Sequence, residues 1–272
     1  MDKGRGERML RTIKKEFKIA LLSIKYAIMR EMLNKATFFS NVFFMILNNA
    51  TFIFEWVVLF SIRNEIAGYG FKEVMLLWGF SAGTYGICHI FFNRANHLSD
   101  LIINGELDAY LVQPKDVLLS AITSSSEVSA IGDLIYAFIM LFVYGFTFPR
   151  FLLYVFAIIC GGLIFTSVQI IAHSLSFWFV KVDIITDTIN SSLINFSTYP
   201  GTIFSGPIKL ILYTIVPVGL STYLPTDLMI TMDFRLLGML VALTFLFVFL
   251  AYNLFYRGLR RYSSSNLMNA RV

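Results

Sequence analysis

Two carboxylic acids, Glu55 and Asp133, stand inside long apolar stretches of the sequence. A carboxylate within a membrane span costs about 2.5–3.5 kcal/mol, so such a side chain should face protein or water. One interpretation is a translocation pathway for a substrate or protons, which Asn48 and Asn49 would also line. The other is hydrogen bonding between helices, or hydration near the membrane surface. The second is favoured for Asp133, about one turn inside its segment, whereas both stay open for Glu55 and the two asparagines.

Residue patterns for other chemistry are sparse. The histidines, His89, His97 and His173, do not form the His-Glu-x-x-His pattern of zinc sites, and Cys88 and Cys160 lie singly in apolar runs. The sequence also lacks a Gly-x-x-x-x-Gly-Lys-Ser/Thr phosphate loop. We therefore predict no catalytic residue, no metal site and no cofactor in this chain. An energy source, if one is needed, must lie elsewhere.

The composition indicates an integral membrane protein. Of 272 residues, 57% are hydrophobic and 14% are charged, and the mean hydropathy is +0.71. Soluble domains carry about 25% charged residues. The 28 Phe and 13 Tyr residues point the same way, because lipid tolerates large apolar side chains. Counted in spans of about 20 residues, the chain suits a single transmembrane domain, predicted over residues 36–257.

Apolar segments separated by polar turns predict six transmembrane helices in an all-α fold. Pro149-Arg150 separates the third segment from the fourth, so these two should form a tight antiparallel hairpin. The weaker fifth segment is rich in Ser, Thr and Asn, which suits contact with other helices. The predicted spans cover residues 36–62, 74–93, 129–148, 151–180, 184–204 and 236–256.

Positive charge is concentrated near both ends of the chain. Of the 22 Lys and Arg residues, ten lie in the first 35 positions and four follow the last span. With both termini in the cytoplasm, 17 cations fall on cytoplasmic segments and five outside, in accord with the positive-inside rule. The net charge of +5 thus needs no nucleic acid. It fits a plasma membrane protein with a cytoplasmic tail over residues 258–272.

The segment 206–226 is apolar enough to enter the bilayer, but Pro217, Gly219 and Pro225 should interrupt a full crossing. Two termini on the same side require an even number of crossings. We therefore expect this segment to enter and return as a re-entrant hairpin before the last span, packed against protein as such backbone must be.

Residues 8–33, within a cytoplasmic entry segment 1–35, are typical of a basic amphipathic helix. Lysines and arginines fall on one side of this helix, and apolar residues recur at helical spacing on the other. We expect the helix to lie flat on the cytoplasmic leaflet, with its cations near anionic lipid headgroups. An ordinary solvent-facing helix is the alternative. The recurring apolar residues are Leu10, Ile13, Phe17, Leu21, Ile24 and Ile28.

The longest polar stretch, residues 94–127, separates the second and third spans and is too hydrophilic to cross the membrane. We expect it to form short surface helices. Within it, Gly105 permits a turn, Glu106 and Asp108 suit the positively polarised first turn of a helix, and Pro114 ends that helix. Such a helix is suited to docking a partner, and a capped surface helix without a partner is the alternative.

The run Gly-Glu-Leu-Asp-x-Tyr-Leu-x-x-Pro at residues 105–114 resembles the signature of bacterial ABC-type permeases of the type-2 exporter class. More narrowly, it resembles the subfamily usually encoded with a second permease and a separate ATPase. The likeness extends over nearly the whole chain, from the entry helix through the six spans. The Ile-Val-Pro-Val-Gly and Tyr-Leu-Pro runs within residues 215–225 are similar to the re-entrant segment of that family.

This resemblance implies a division of labour. The chain would pair with a second permease, same or sister, in a bacterial plasma membrane. Two ATPase subunits, which bind ATP and Mg²⁺, would dock on its cytoplasmic loops and drive export of a substrate that the sequence does not identify. The loop 94–127 would hold the coupling helix. The residues matched to the coupling motif are Gly105, Glu106, Leu107, Asp108, Tyr110, Leu111 and Pro114.

Other functions make different demands on the sequence. An ion-coupled secondary transporter, the main alternative, would need its own coupling residues and usually internal repeats. Glu55 and Asp133 are thin support for it, and no repeat is evident. An intramembrane enzyme would need a nucleophile or a metal cluster. A purely structural membrane subunit would have no ATPase partner.

Overall fold

The computed structural model describes residues 3–179 and 182–263, with the side chains of 3–13 and 17 excepted. Its secondary structure over this part of the chain is α-helical, with short 3-10 turns and one π-helical turn. The helices are α1 (Lys3–Glu31), α2 (Lys35–Ile62), α3 (Phe71–Phe91), α4 (Leu98–Ile103), α5 (Asp108–Leu111), α6 (Val117–Ile122), α7 (Ala130–Gly145), α8 (Phe148–Ser174), α9 (Asp183–Ser197), α10 (Gly206–Thr214), α11 (Leu224–Thr231) and α12 (Phe234–Leu259). Predicted features outside the described residues are Lys181 of the turn before α9, the tail from residue 264, and the side chains of Leu10, Ile13 and Phe17.

Four of the described helices are long and apolar enough to cross a membrane, namely α2, α3, α8 with its 3-10 extension, and α12. Helix α10 and the segment Gly219–Thr231 pass the same test together, although they are bent by 78°. The count is therefore five if this bent pair is one span. The predicted all-α membrane fold is confirmed, and six full-length spans are more than the described helices supply by length and composition.

The predicted third and fifth spans are shorter than expected. Helix α7 has 16 residues and α9 has 15, which is about 24 and 22 Å at 1.5 Å per residue. The hydrocarbon core of a bilayer is about 30 Å thick. Helix α9 ends at Ser197 rather than at residue 204 because Pro200 follows closely, and the residue before a proline avoids helical geometry.

Pro149 begins a helix instead of breaking one. Helix α8 starts at Phe148, and the backbone N–H of Arg150 donates to Thr147 Oγ1 at 3.4 Å as an N-terminal cap. Proline is tolerated in the first helical turn because its missing N–H would have no helical partner there. The predicted start of this span at residue 151 was therefore wrong. The helix ends at Ser174, before its predicted end at residue 180, which lies outside the described residues.

Helix α3 is the central element of the bundle. Most of its length is buried, and it packs against α7 and α8 through glycines. A Cβ atom at Gly79 would collide with Tyr154 of α8 and with Met140 of α7. One at Gly86 would collide with Leu134 of α7, and one at Gly83 with Ile158 of α8. Small residues let helix backbones approach closely, which is the usual means of helix packing in membranes. The glycines of α3 therefore fix the spacing of the three helices.

A tight turn joins α2 to α3. Ala67 and Gly68 have φ angles of +53° and +86°, and Ile66 and Tyr69 exchange backbone hydrogen bonds across them. The Tyr69 hydroxyl also donates to Asp227 Oδ1 at 2.8 Å, which attaches the turn to α11. The polar glycine-containing turn predicted for this loop is confirmed.

The segment predicted to be re-entrant consists of two limbs. The chain breaks at residues 215–218, where Pro217 lies, and resumes as a π-helical turn, Gly219–Tyr223, that continues into α11. Pro225 lies in the first turn of α11 and does not interrupt it, contrary to expectation and for the same reason as Pro149. The bend therefore arises at Pro217.

The second limb of this segment is enclosed by other helices, whereas α10 leaves most of its side chains exposed. Gly161 of α8 makes room for the limb, since a Cβ atom there would approach the backbone oxygen of Ser221 to 2.6 Å. Thr84 Oγ1 of α3 donates to the same oxygen at 3.3 Å. Irregular backbone at this depth is thus surrounded by protein, as lipid requires.

Candidate functional site

The polar stretch between α3 and α7 folds into a compact helical unit rather than free surface helices. Helices α4, α5 and α6 turn a continuous apolar side inward, against Ile170 and Phe255 near the ends of α8 and α12. The buried residues of the unit include Leu98, Leu101 and Leu107. Because the unit shares a core with α8 and α12, a displacement of the unit should also move the ends of these two helices.

The coupling motif at 105–114 lies at the outer edge of this unit. Gly105 has a φ angle of +73°, so the predicted glycine turn is present. Asp108 is in the first turn of α5, as expected, but Glu106 precedes that helix. The Glu106 carboxylate instead accepts from Arg94 Nη2 at 3.0 Å. Charge pairing within the unit, not the helix dipole, therefore accounts for the placement of Glu106.

The motif has an anchored side and a free side. Leu107 is fully buried and Tyr110 is half-buried in the core of the unit, whereas Leu111 is 42% exposed and Val112 is 84% exposed. Helix α5 already ends at Leu111, before Pro114. Leu111 and Val112 thus form the exposed side of a motif whose other side is packed into the protein.

The C-terminal end of α12 reaches back to the coupling motif. Tyr262 lies in the core of the same unit. Its burial, together with the neighbouring Asp108 carboxylate, raises the pKa of Tyr262 to about 12. Tyr262 therefore stays neutral at physiological pH and can pack without a charge.

Asp116 is a junction that sequence reasoning missed. Its Oδ1 accepts from the backbone N–H of Leu119 at 2.8 Å and caps α6. Its Oδ2 accepts from the hydroxyls of Tyr252 and Tyr256 on α12, at 3.1 and 2.8 Å. The backbone N–H of Asp116 donates to Glu16 Oε2 of α1 at 3.2 Å. One residue thus joins the entry helix, the loop and the last span. The only local signal was an Asp directly before an apolar run, a helix start pattern.

The four pathway candidates lie around one cavity. This cavity, of about 490 Å³, is partly open and lies between α2, α3, α7, α8, the end of α9 and the residues Ser221 and Thr222. Asn48, Asn49, Glu55 and Asp133 all line it. Its size falls within the range of about 300–1,000 Å³ that is usual for small-molecule sites.

Asn49 and Asp133 also join two helices. Asn49 Nδ2 of α2 donates to Asp133 Oδ1 of α7 at 2.6 Å, and both side chains are buried. This is the helix-joining hydrogen bond that the position of Asp133 favoured. Asn48 and Glu55 are exposed on α2 and do not take part in this contact. The pathway interpretation of Asn48 and Glu55 stays a prediction.

The aromatic wall of the cavity was also missed by sequence reasoning. Phe52 of α2 stacks on Trp78 of α3 at a centroid separation of 5.1 Å, and Trp56 of α2 lies 6.1 Å from Tyr199 after α9. These partners are far apart in the sequence, and aromatic residues are common throughout the chain. No local pattern distinguishes the rings at the cavity from those that face lipid.

Over the described residues, the long apolar helices, the cavity between them and the packed helical loop are the features of a multi-pass membrane protein. A family model described as ABC-2 family transporter protein matches residues 46–266. The chain belongs to this family and is an ABC transporter permease, a membrane component that is not itself catalytic. No curated protein and no solved structure matches the chain.

Proposed function

We propose that this permease forms the translocation pathway of an exporter whose ATP hydrolysis takes place in a separate ATPase subunit. Members of the family generally work with such a subunit. The subunit would bind ATP and Mg²⁺ and dock on the loop 94–127. The observation that carries the proposal is the free side of the coupling motif, where Val112 is 84% exposed on a base that shares its core with α8 and α12.

A cross-linking experiment tests this docking surface. A cysteine introduced as Val112→Cys should form a cross-link to a P-loop ATPase in membranes of the native host, identified by mass spectrometry of the adduct. The native thiols, Cys88 and Cys160, are both buried, so the background should be low. The matched control is Ile62→Cys, which is 75% exposed at the far end of α2. An ATPase adduct at residue 62 but not at 112 would place docking on the wrong side of the protein.

A second permease chain, same or sister, would cover the exposed faces of α2 and α9. Only 11% of the most apolar 18-residue stretch of α2 is buried within this chain. The polar residues Asn41, Asn48 and Glu55 lie on the exposed surface of the same helix. Helix α9 likewise exposes Asp187 and Asn195. Polar side chains are costly against lipid, so a protein or water-filled surface fits these faces better.

Six crossings with both termini in the cytoplasm complete the proposal. The crossings would be α2, α3, α7, α8, α9 and α12, with α10 and α11 entering and returning on the outer side as a re-entrant hairpin. The short helices α7 and α9 would rely on local thinning of the bilayer or on tilted neighbours, which costs a fraction of a kcal/mol per Å of mismatch. The domain plan is an entry segment 1–35, a membrane domain 36–257 and a tail 258–272.

Reporter tags test this topology. Tags on the N-terminus and on the C-terminus should both report from the cytoplasm in intact bacterial cells, because the cations cluster at both ends. Protease accessibility before and after permeabilisation is the measurement. A tag in the loop at Glu65 should report from outside and serves as the control. An external C-terminal tag would exclude six crossings and the re-entrant hairpin together.

Helix α1 would lie at the surface of the cytoplasmic leaflet. Lys14, Lys15, Lys18 and Lys25 are exposed, and Ala20, Ile24 and Ala27 are buried against the protein. Ser23 Oγ donates to the backbone oxygen of Thr123 at 2.9 Å. The exposed apolar residues Leu21, Tyr26 and Met29 lie among these lysines, and they would enter the headgroup region while the lysines meet anionic lipid.

A further inference from the structure

The cavity has an acidic lining. Glu55 and Asp133 both contribute to it, and among the described residues no Lys, Arg or His side chain lines it. A positive group in the cavity would therefore meet two carboxyl groups and no like charge.

Asp133, which lines the cavity, has one carboxyl oxygen without a hydrogen-bond partner among the described residues. Its side chain is 4% exposed, and Oδ1 is occupied by the hydrogen bond from Asn49. The second oxygen, Oδ2, is buried and has no hydrogen-bond partner within the described protein. An unpartnered buried carboxylate is costly, and a donor or a cation placed beside it removes that cost. Oδ2 is therefore available to a ligand, whereas Oδ1 is used to join the two helices.

Aromatic rings surround the acids. They come from four elements and are arranged as edge or stacked pairs, with Phe52 and Trp78 at 5.1 Å and Tyr85 and Phe165 at 6.2 Å between centroids. Rings of this kind attract cations through their negative faces and supply apolar contact to a ligand body. The six rings lining the cavity are those of Phe52, Trp56, Trp78, Tyr85, Phe165 and Tyr199.

Trp78 adds one further requirement. Its Nε1–H is buried and also lacks an acceptor within the described protein. A ligand that fills the cavity is best matched if its apolar body carries one oxygen or nitrogen acceptor. The lining therefore combines two acceptors of positive charge, one donor and apolar rings.

We propose that the substrate of this permease is an organic cation with an aromatic or otherwise apolar body, held in the cavity between Asp133, Glu55 and the ring pairs. This inference rests on the proposed export function. The cationic centre lies between the Asp133 and Glu55 carboxyl groups, and the body lies between the rings of α2 and α3. Anions of the same shape are excluded by the two carboxyl groups.

Two probe ions of nearly identical shape and opposite charge test the inference. Radiolabelled tetraphenylphosphonium should bind the detergent-purified complex saturably, and excess unlabelled tetraphenylborate should not displace it. Glu55→Gln and Asp133→Asn each replace a carboxyl group by an amide of the same shape, and each should weaken tetraphenylphosphonium binding about tenfold, which corresponds to about 1.4 kcal/mol. Glu65→Gln, in the loop outside the cavity, is the matched control and should leave the affinity unchanged.

The outcomes separate this inference from the proposed function. Absence of saturable tetraphenylphosphonium binding, or preference for tetraphenylborate, would overturn the cation assignment even if the ATPase is recovered with the complex. Unchanged affinity in Glu55→Gln would overturn the role of this cavity, because Glu55 is exposed and its neutralisation should not impair folding. Cation binding by a chain that has no ATPase would support the cavity and contradict the exporter.

Discussion

Replacing Glu106 and Asp108 together with lysine should abolish ATPase-driven transport while the protein still folds and inserts. Both residues belong to the same motif as the exposed Leu111 and Val112, where we propose that the ATPase docks. Two charge reversals at a docking surface cost several kcal/mol of binding. We expect at least a tenfold loss of co-purified ATPase, measured per mole of permease, and a matching loss of transport in membrane vesicles.

Folding should survive this change. Glu106 is half exposed and pairs with Arg94, and surface ion pairs are worth about 0–1 kcal/mol. A charge-swapped control, Arg94→Glu with Glu106→Arg, restores the ion pair but leaves residue 106 positive. If the swap recovers ATPase binding, Glu106 acts only within the loop. If the charge-swapped variant also fails to bind the ATPase, the ATPase contacts the Glu106 carboxylate directly. Wild-type transport in the double lysine variant would remove the docking role altogether.

Asp116→Ala should uncouple the loop from the last span and destabilise the protein by about 2–3 kcal/mol. The substitution removes the cap of α6, worth about 1 kcal/mol. It also removes a carboxylate acceptor of two tyrosine hydroxyls, where hydrogen bonds to charged groups contribute about 1.5–3 kcal/mol before solvent exposure reduces them. We expect ATP hydrolysis to continue while transport per ATP falls, measured on the reconstituted complex.

The matched control for this change lies in the same loop. Asp100→Ala removes a carboxylate that is 56% exposed. Its contact with His97 Nδ1 is long, at 3.7 Å, and therefore weak. Its stability and transport should stay near those of the unchanged protein. Equal effects of the two substitutions would mean that the junction at Asp116 has no special role. The variant Tyr256→Phe, which removes one of the two tyrosine hydrogen bonds, should have an intermediate effect.

Long uninterrupted apolar runs were well predicted from the sequence. Helix α2, Lys35–Ile62, agrees with the predicted span within one residue at its start, and α12 contains its whole predicted span. Hydropathy over about 20 residues is a strong signal because lipid leaves the backbone no alternative to a helix. The charged and glycine-containing turn before α3 was equally clear.

Prolines and short helices were poorly predicted because their effect depends on position within a helix. Pro149 and Pro225 lie in first turns and start helices, whereas Pro217 lies at a bend, and the sequence alone treats all three alike. Likewise, the predicted fifth span ran on to residue 204, past Pro200, although α9 ends at Ser197. These boundaries depend on tertiary packing that a local pattern does not contain.

Part of the candidate site could be predicted from the sequence, and part could not. Residues 105–114 alone predicted the glycine turn and the acidic helix start of the coupling motif. The contacts that anchor it, such as Leu107 in a core shared with α8 and α12, required the fold. The partner of Asp133 is Asn49, 84 residues away, and the rings around the cavity come from separate helices. Long-range pairs of this kind carry no signal in a single sequence.

Purification of the chain from its native host in mild detergent, with mass spectrometry of the proteins recovered, tests the central claim most directly. The exporter account predicts stoichiometric recovery of a P-loop ATPase, together with a second permease if the complex is a heterodimer. Recovery of the permease alone, under conditions that hold other ABC transporters together, would contradict the account. Ion-coupled secondary transport would then be the leading function, and Glu55 the first residue to mutate.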